Sequence, residues 1–290
     1  MASLKEIKTR INSVQSTRKI TSAMKMVASA KLHKAQEAIE NMLPYQQQLT
    51  KILTNFLSAD LPVQSPFVVE RELKRVAVVA FSSNSSLCGA YNANVQRMLL
   101  QTVAEYRELG QDNILIFPIG RKVEEASNKM GFASQGSFQT LADKPSYLEA
   151  AALAEKLMAM YLDKEIDRVD LVYHHFKSSG VQELLRVRCL PIDLKSVSQS
   201  DEREELVSDY IVEPSAELLI ANLIPTVLCQ QIFTAAVDSN ASEHAARVMA
   251  MQIATDNANE LIQELTKQYN KTRQQTITNE LLDIMGGSMK

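Results

Sequence analysis

The chain is poor in the residues that interrupt helices. Only 8 Gly and 8 Pro occur among 290 residues, under half the usual share of each, so long uninterrupted helices are favoured and a loop-rich fold is excluded. Trp is absent and aromatics make up 6%, which leaves core formation to Leu, Ile, Val, Met and Ala and suits a thin helix-to-helix seam. The three cysteines, Cys88, Cys189 and Cys229, are widely spaced and include no CxxC, so neither a disulfide framework nor a zinc site is indicated. A reducing compartment is expected. No run of about 18 apolar residues stands out, and Lys5, Glu6, Lys8 and Arg10 occupy the place of a signal peptide's apolar run, so the expectation is a soluble chain that does not itself span a bilayer.

What the chain does have is hydrophobic residues at 46% and a net charge of −3 that conceals two opposed segments. Residues 1–34 carry eight Lys or Arg against Glu6 alone, close to +7. Residues 193–217 carry eight acids against Lys195 and Arg203, close to −6. Such asymmetry suggests different partners for the two segments; a solvated face without consequence is the favoured reading of the acidic segment and the disfavoured one of the basic segment.

Two long helical patterns lie at opposite ends. From Leu4 to Leu57 a 3-4 spacing runs through Leu4, Ile7, Ile11 and Val14, and again through Leu32, Ala35, Ile39, Met42, Leu49, Leu53 and Phe56. Between these, the same frame lands on Arg18, Thr21 and Lys25, and the apolar residues move to Ile20, Met24, Val27 and Ala28. That predicts a stutter that locally alters the supercoil. The second pattern, from about Ser215 to Met285, opens with Pro214 and Ser215 and continues as Val248, Met251, Thr255, Ala258, Ile262, Leu265, Tyr269 and Thr272. Pro44 predicts a bend or a loosened turn, Pro225 a kink or short break, and Gly286 and Gly287 the helix end. At about 1.5 Å per residue these helices would run on the order of 80 and 100 Å. Winding antiparallel, each covers the other's apolar stripe. The longer second helix then leaves Leu281, Leu282, Ile284 and Met285 as an exposed apolar tip, which a partner would have to enclose.

Between the helices, strand and helix signals alternate. Arg75 to Phe81 reads as a buried strand, Asn92 to Leu109 as an amphipathic helix, Asn113 to Ile119 as a strand and Arg121 to Met130 as a helix. A third helix follows at about Ser146 to Tyr161, with strands at Arg168 to Phe176 and Glu183 to Pro191. The fold class expected is α/β: a doubly wound, mostly parallel sheet, joined to an antiparallel two-helix coiled coil built from both termini. The domain expectation is a shaft from 1–60 and 210–290, a head from 70–195 and an acidic loop from 195–210.

No catalytic, cofactor or metal constellation emerges. The turn after the first strand, SSNSSLCGAYN, has neither GxGxxG nor GxxxxGK[ST], whose glycines let backbone amides approach phosphate. His174 and His175 are consecutive in a strand and point to opposite faces, so they cannot share a metal ion. Cys88 beside Asn84 or Asn92 has no His nearby in sequence and reads as a buried small thiol. Ser242, Glu243 and His244 share triad types by composition only, because adjacent helix residues diverge around the axis.

At KITSAMKMVASAK (Lys19 to Lys31), ASEHAARVMAMQIATDNANELI (Ala241 to Ile262) and YNKTRQQTITNELLDIMGG (Tyr269 to Gly287), the chain resembles the gamma subunits of F-type ATP synthases, and VAFSSNSSLCGAYN (Val79 to Asn92) is similar to that family's head signature. The likeness covers essentially the whole length. Family members usually carry Asp-Arg-Gly-Leu in that turn, whereas Asn84, Ser85, Ser86 and Leu87 stand here, which removes the charges on which a role of the turn would rest.

The resemblance implies a non-catalytic, single-copy rotor in the central stalk. It would sit inside a ring of three alpha and three beta subunits, with epsilon and the membrane-embedded c-ring as its other partners, and would lie peripherally at the cytoplasmic face of a bacterial inner membrane. It also implies beta-subunit contacts at Met24, Lys25, Arg273, Gln274 and Thr278, a bearing tip at Leu281, Leu282, Ile284 and Met285, catalytic groups on beta, and contact of the acidic segment with the c-ring. The competing reading is a basic coiled coil that binds nucleic acid or acts as a chaperone. It accounts for the basic segment and leaves the apolar tip without a purpose.

Overall fold

The computed structural model describes residues 3–58, 65–192 and 215–288. The chain divides into two units, one formed by Met1–Ala30 with Arg247–Lys290 and the other by Lys31–Ala246. Both long helices, α1 (Leu4–Ser58) and the last described helix, contribute to each unit.

The larger unit holds a four-stranded sheet in the order β2-β1-β3-β4. Its elements are β1 (Val76–Phe81), α2 (Tyr91–Glu105), β2 (Ile114–Ile119), α3 (Arg121–Lys129), α4 (Gln139–Asp143), α5 (Tyr147–Leu162), β3 (Arg168–Ser178) and β4 (Val181–Leu190). Strand β1 pairs in parallel with β2 and β3, and β4 closes the edge as an antiparallel hairpin partner of β3. The parallel pairs need crossovers, which α2 and the α3–α5 segment supply.

Strand β1 shows why its sequence is continuously apolar. Val76, Val78 and Ala80 face a core with Val95 and Leu99 of α2 and Val123 of α3. Ala77, Val79 and Phe81 face the opposite core, with Leu153 and Leu157 of α5 and with helix α6 (Ala216–Ser288). A strand covered on both faces has no solvent side on which to place polar residues.

The start of α6 feeds this second core with Ile220, Leu223, Ile224, Leu228 and Ile232. An 18-residue window of α6 reaches a mean hydropathy of 1.6 with at most two charges, more apolar than the sequence reading allowed. Its first turns are core helix, since these side chains are buried against the sheet. α1 runs through Pro44 and α6 through Pro225 without a break, and α6 continues past Gly286 and Gly287 to Ser288. Both helix starts are capped. Ser3 and Glu6 exchange backbone-to-side-chain hydrogen bonds of 2.9 and 3.3 Å in a capping box, and the Ser215 hydroxyl accepts the Leu218 amide at 3.3 Å.

The acidic run of residues 193–214 lies outside the described residues.

Candidate functional site

In the smaller unit the two helices meet along polar layers. Arg18 donates to Asn259 Oδ1 at 3.2 Å, the Thr21 and Thr255 hydroxyls lie 2.8 Å apart, and Lys25 Nζ donates to Gln252 Oε1. Residue numbers in each pair add to 276 or 277, as an antiparallel register requires. Thr21 is buried, while Ile20 and Val27 are 59% and 60% exposed.

The expected stutter is therefore wrong. The heptad frame passes straight through Arg18, Thr21 and Lys25 and on to Ala28, which is buried; of the residues expected to carry a shifted stripe, Ile20 and Val27 point outward and Met24 is half-buried. Paired polar side chains satisfy one another across the seam, so the frame has no reason to shift to the apolar stripe. Seam position was decided by geometry and hydrogen bonding together, not by hydrophobicity alone. Met24 and Lys25 are both half-buried, and the Lys25 ammonium is engaged with Gln252.

The same register places Ser3 opposite residues 273 and 274, so α6 extends beyond the first described residue of α1. From there the seam positions of α6 turn polar, at Thr276, Asn279 and Asp283. Leu281, Leu282, Ile284 and Met285 are 57%, 60%, 69% and 60% exposed. At about 100° per residue, Ile277, Leu281 and Ile284 form one stripe, with Gln274, Thr278, Met285 and Leu282 on one flank and Arg273 on the other. All fall within roughly half the helix circumference, on the side turned away from the seam. Arg273, Gln274 and Thr278 are exposed, and the Thr278 hydroxyl donates to the Gln274 carbonyl at 2.9 Å. Seven of the nine sequence-predicted residues therefore gather on this one face, and Met24 and Lys25 lie elsewhere along the coil.

The turn after β1 spends its polar groups on the protein itself. Ser82 Oγ accepts the Val123 amide and Asn84 Oδ1 the Arg121 amide, both at 2.9 Å, so the first turn of α3 is capped from the turn. Asn84 Nδ2 donates to the Gln139 carbonyl at 2.7 Å. Gly120, at φ +96°, lets Ser82 approach: a Cβ there would lie 2.2 Å from the Ser82 carbonyl oxygen. The Arg121 and Val123 amides at the start of α3, which could otherwise hold an anion, are thus bonded to side chains.

Sequence reasoning missed a run of buried polar residues on α6. Asp238 Oδ2 lies 2.6 Å from His175 Nδ1, Asn240 donates to the Ala142 carbonyl at 2.9 Å, Ser242 donates to the His174 carbonyl at 3.3 Å, and the Tyr91 hydroxyl donates to the Ser239 carbonyl at 3.1 Å. These bonds fasten α6 to α2, α4 and β3. Asp238 has a raised pKa because burial outweighs its His175 partner. His174 and His175 do point apart: His174 stacks on Tyr91, with ring centroids 4.4 Å apart, and His175 reaches Asp238. No sequence signal marks this run, because helix periodicity alone cannot tell a bonded buried Asn from a solvated one.

Residues 3–289 match the ATP synthase family profile. The ATP synthase gamma chain of Bacteroides fragilis is 79% identical over 289 residues, with 100% of each chain covered. The chain belongs to the ATP synthase gamma chain family. That of Bacteroides thetaiotaomicron is 72% identical over 298 residues, again with 100% of each covered. Among solved structures, the rotor of the Euglena gracilis mitochondrial ATP synthase in rotational state 1 aligns with a TM-score of 0.65 at 21% identity, covering 94% of this chain and 98% of that one. A second structure of that enzyme, in rotational state 3, gives a TM-score of 0.66 at 20% identity, covering 99% and 93%. At these identities the solved structures speak for the fold.

Proposed function

We propose that this gamma chain is the central-stalk rotor of an F-type ATP synthase, coupling ion flow through the c-ring to conformational cycling of catalytic beta subunits. Its family membership over the full length carries the reading. The chain is non-catalytic in this role, and the reacting groups belong to beta. It lies peripherally at the cytoplasmic face of the bacterial inner membrane, one copy per complex, among three alpha and three beta subunits, epsilon and the c-ring.

A shaft transmits energy only by touching the states of beta unequally. Driving a two-state site from 1:99 to 99:1 takes about 5.5 kcal/mol of differential interaction. The outward face of α6 suits that task. Its apolar stripe supplies contact area, and Arg273, Gln274 and Thr278 supply directional bonds to loops of one beta subunit at a time. Met24 and Lys25 face the lever region of beta. Charge pairing by Lys25 releases more readily than apolar anchoring as the shaft turns.

Reconstitution of the chain with alpha, beta and epsilon, followed by measurement of ATP synthesis in ion-energised vesicles, tests the reading. Replacing Arg273 and Gln274 together by Ala lowers synthesis while the chain stays folded and assembled. Failure of the unaltered chain to co-assemble with alpha and beta would overturn the rotor role, and full activity of the double variant would remove these two residues from coupling.

A further inference from the structure

At the amino-terminal ends of β1 and β3, opposite the end where doubly wound sheets usually bind ligands, lies an open cleft of about 780 Å³. Arg71, Lys74, Arg75 and Lys164 line it together with Glu72 and Asp167. The four cations outnumber the two carboxylates. Asp167 Oδ2 accepts the Lys74 and Arg75 amides, each at 3.0 Å, and Glu72 pairs with Lys74 at 3.3 Å.

The arginines, by contrast, are held by neutral groups. Arg71 donates to the Tyr161 carbonyl at 2.7 Å with its guanidinium 4.1 Å over the Tyr161 ring, and Arg75 Nε donates to Asn113 Oδ1 at 3.1 Å. Their orientation is fixed, and with four cations against two carboxylates the cleft keeps a net positive charge. Among the described residues Lys164 makes no ion pair.

Lys164 is also an anomaly of the backbone. It closes α5 in a Schellman turn, with Lys164 N bonded to the Tyr161 carbonyl at 3.3 Å and Glu165 N to the Met160 carbonyl at 2.9 Å. It occupies, at φ +61°, the left-handed position normally taken by Gly. A cation at a helix carboxyl end is electrostatically favoured, but that preference does not require a residue with a strained backbone.

We infer that this cleft is a binding site for a ligand carrying two or more phosphate groups, gripped by Arg71, Arg75 and Lys164. Its volume is that of a small-molecule site and exceeds what one inorganic phosphate needs. Guanidinium groups held in place by neutral partners bind phosphate oxygens in a geometry that costs little reorganisation. The site is independent of the rotor role.

The test uses the full chain, with pyrophosphate as soluble probe by titration calorimetry, and with phosphatidylcholine vesicles with and without cardiolipin, a lipid bearing two phosphates, by co-sedimentation. Lys164→Gly removes the charge and relaxes the backbone, so its thermal midpoint is at least that of the parent. Arg75→Gln is the second variant. Each weakens binding about tenfold, the loss of one charge-assisted hydrogen bond. Pyrophosphate binding that weakens so identifies a soluble ligand, and vesicle binding alone that weakens so identifies a lipid headgroup. Absence of saturable binding to both probes, or binding that neither variant weakens, overturns the site.

Discussion

Asp170 lies fully buried in β3 and accepts three hydrogen bonds: from the Tyr106 hydroxyl at 2.6 Å, Arg168 Nε at 2.9 Å and Arg186 Nε at 2.9 Å. Burial first, and the hydrogen bond to Asp170 second, push the Tyr106 pKa up to about 12, so that hydroxyl remains a donor throughout the neutral range. Removing the carboxylate charge takes from Arg168 its carboxylate partner and leaves Arg186 with Glu105 alone. Asp170→Asn is therefore expected to cost about 3 kcal/mol, against about 1 kcal/mol for Tyr106→Phe, both read from denaturant unfolding. Equal losses in the two variants would show that the charge matters no more than the hydrogen bond. His174 gives a second residue-scale expectation. Burial lowers its pKa to about 4, below the unfolded value near 6.5, so the unfolded chain binds more protons between those limits. Stability is then complete above about pH 6.5 and falls as pH drops toward 4, by about 3 kcal/mol in all. His174→Gln removes that part of the pH dependence. Unfolding curves of parent and variant that stay parallel from pH 7 to pH 4 would contradict it.

At the scale of elements, the strands and helices of the central region were legible because the patterns there are unambiguous. β1 is apolar on both faces because both faces are covered, and α5 and β3 lie within two residues of where periodicity put them. The long helices were legible in extent and misjudged in detail. No short break occurs at Pro225, and the seam at Arg18, Thr21 and Lys25 stays in frame. A single helix pattern shows which residues are apolar. It does not show that Asn259, Thr255 and Gln252 stand opposite to satisfy polar ones. The same limit hid Asp238 and Asn240, whose partners His175 and Ala142 are far away in sequence. The Thr21–Thr255 layer allows a direct test. Val has the shape of Thr and a similar helix propensity, and replacing both partners of a buried hydrogen bond by apolar groups is nearly neutral. The Thr21→Val, Thr255→Val pair should shift coil stability by less than about 1 kcal/mol in thermal unfolding. A loss above about 2 kcal/mol would make the hydroxyl pair a principal support of the coil, not a register device of the kind polar seam residues provide.

For the molecule as a whole, the decisive distinction is between side chains that hold the chain together and side chains that hold it to something else. Leu281 and Ile284 stand on the outward stripe of α6, 57% and 69% exposed, past the point where α1 gives cover. Charged substitutions there leave the chain's own packing untouched, so Leu281→Glu with Ile284→Glu should change its unfolding free energy by no more than about 0.5 kcal/mol. Inside the proposed collar of alpha and beta subunits the same change forfeits two buried aliphatic groups, each worth about 1.5–3 kcal/mol. It also brings two carboxylates into an apolar surround. A loss of at least 3 kcal/mol in association is expected, about a hundredfold or more in the affinity of the ring for the shaft, measured as chain retained on immobilised alpha–beta complex. The two readouts separate cleanly. Retention undiminished in the double variant would mean that the stripe is not enclosed, and a lowered unfolding midpoint would mean that it packs within the chain after all.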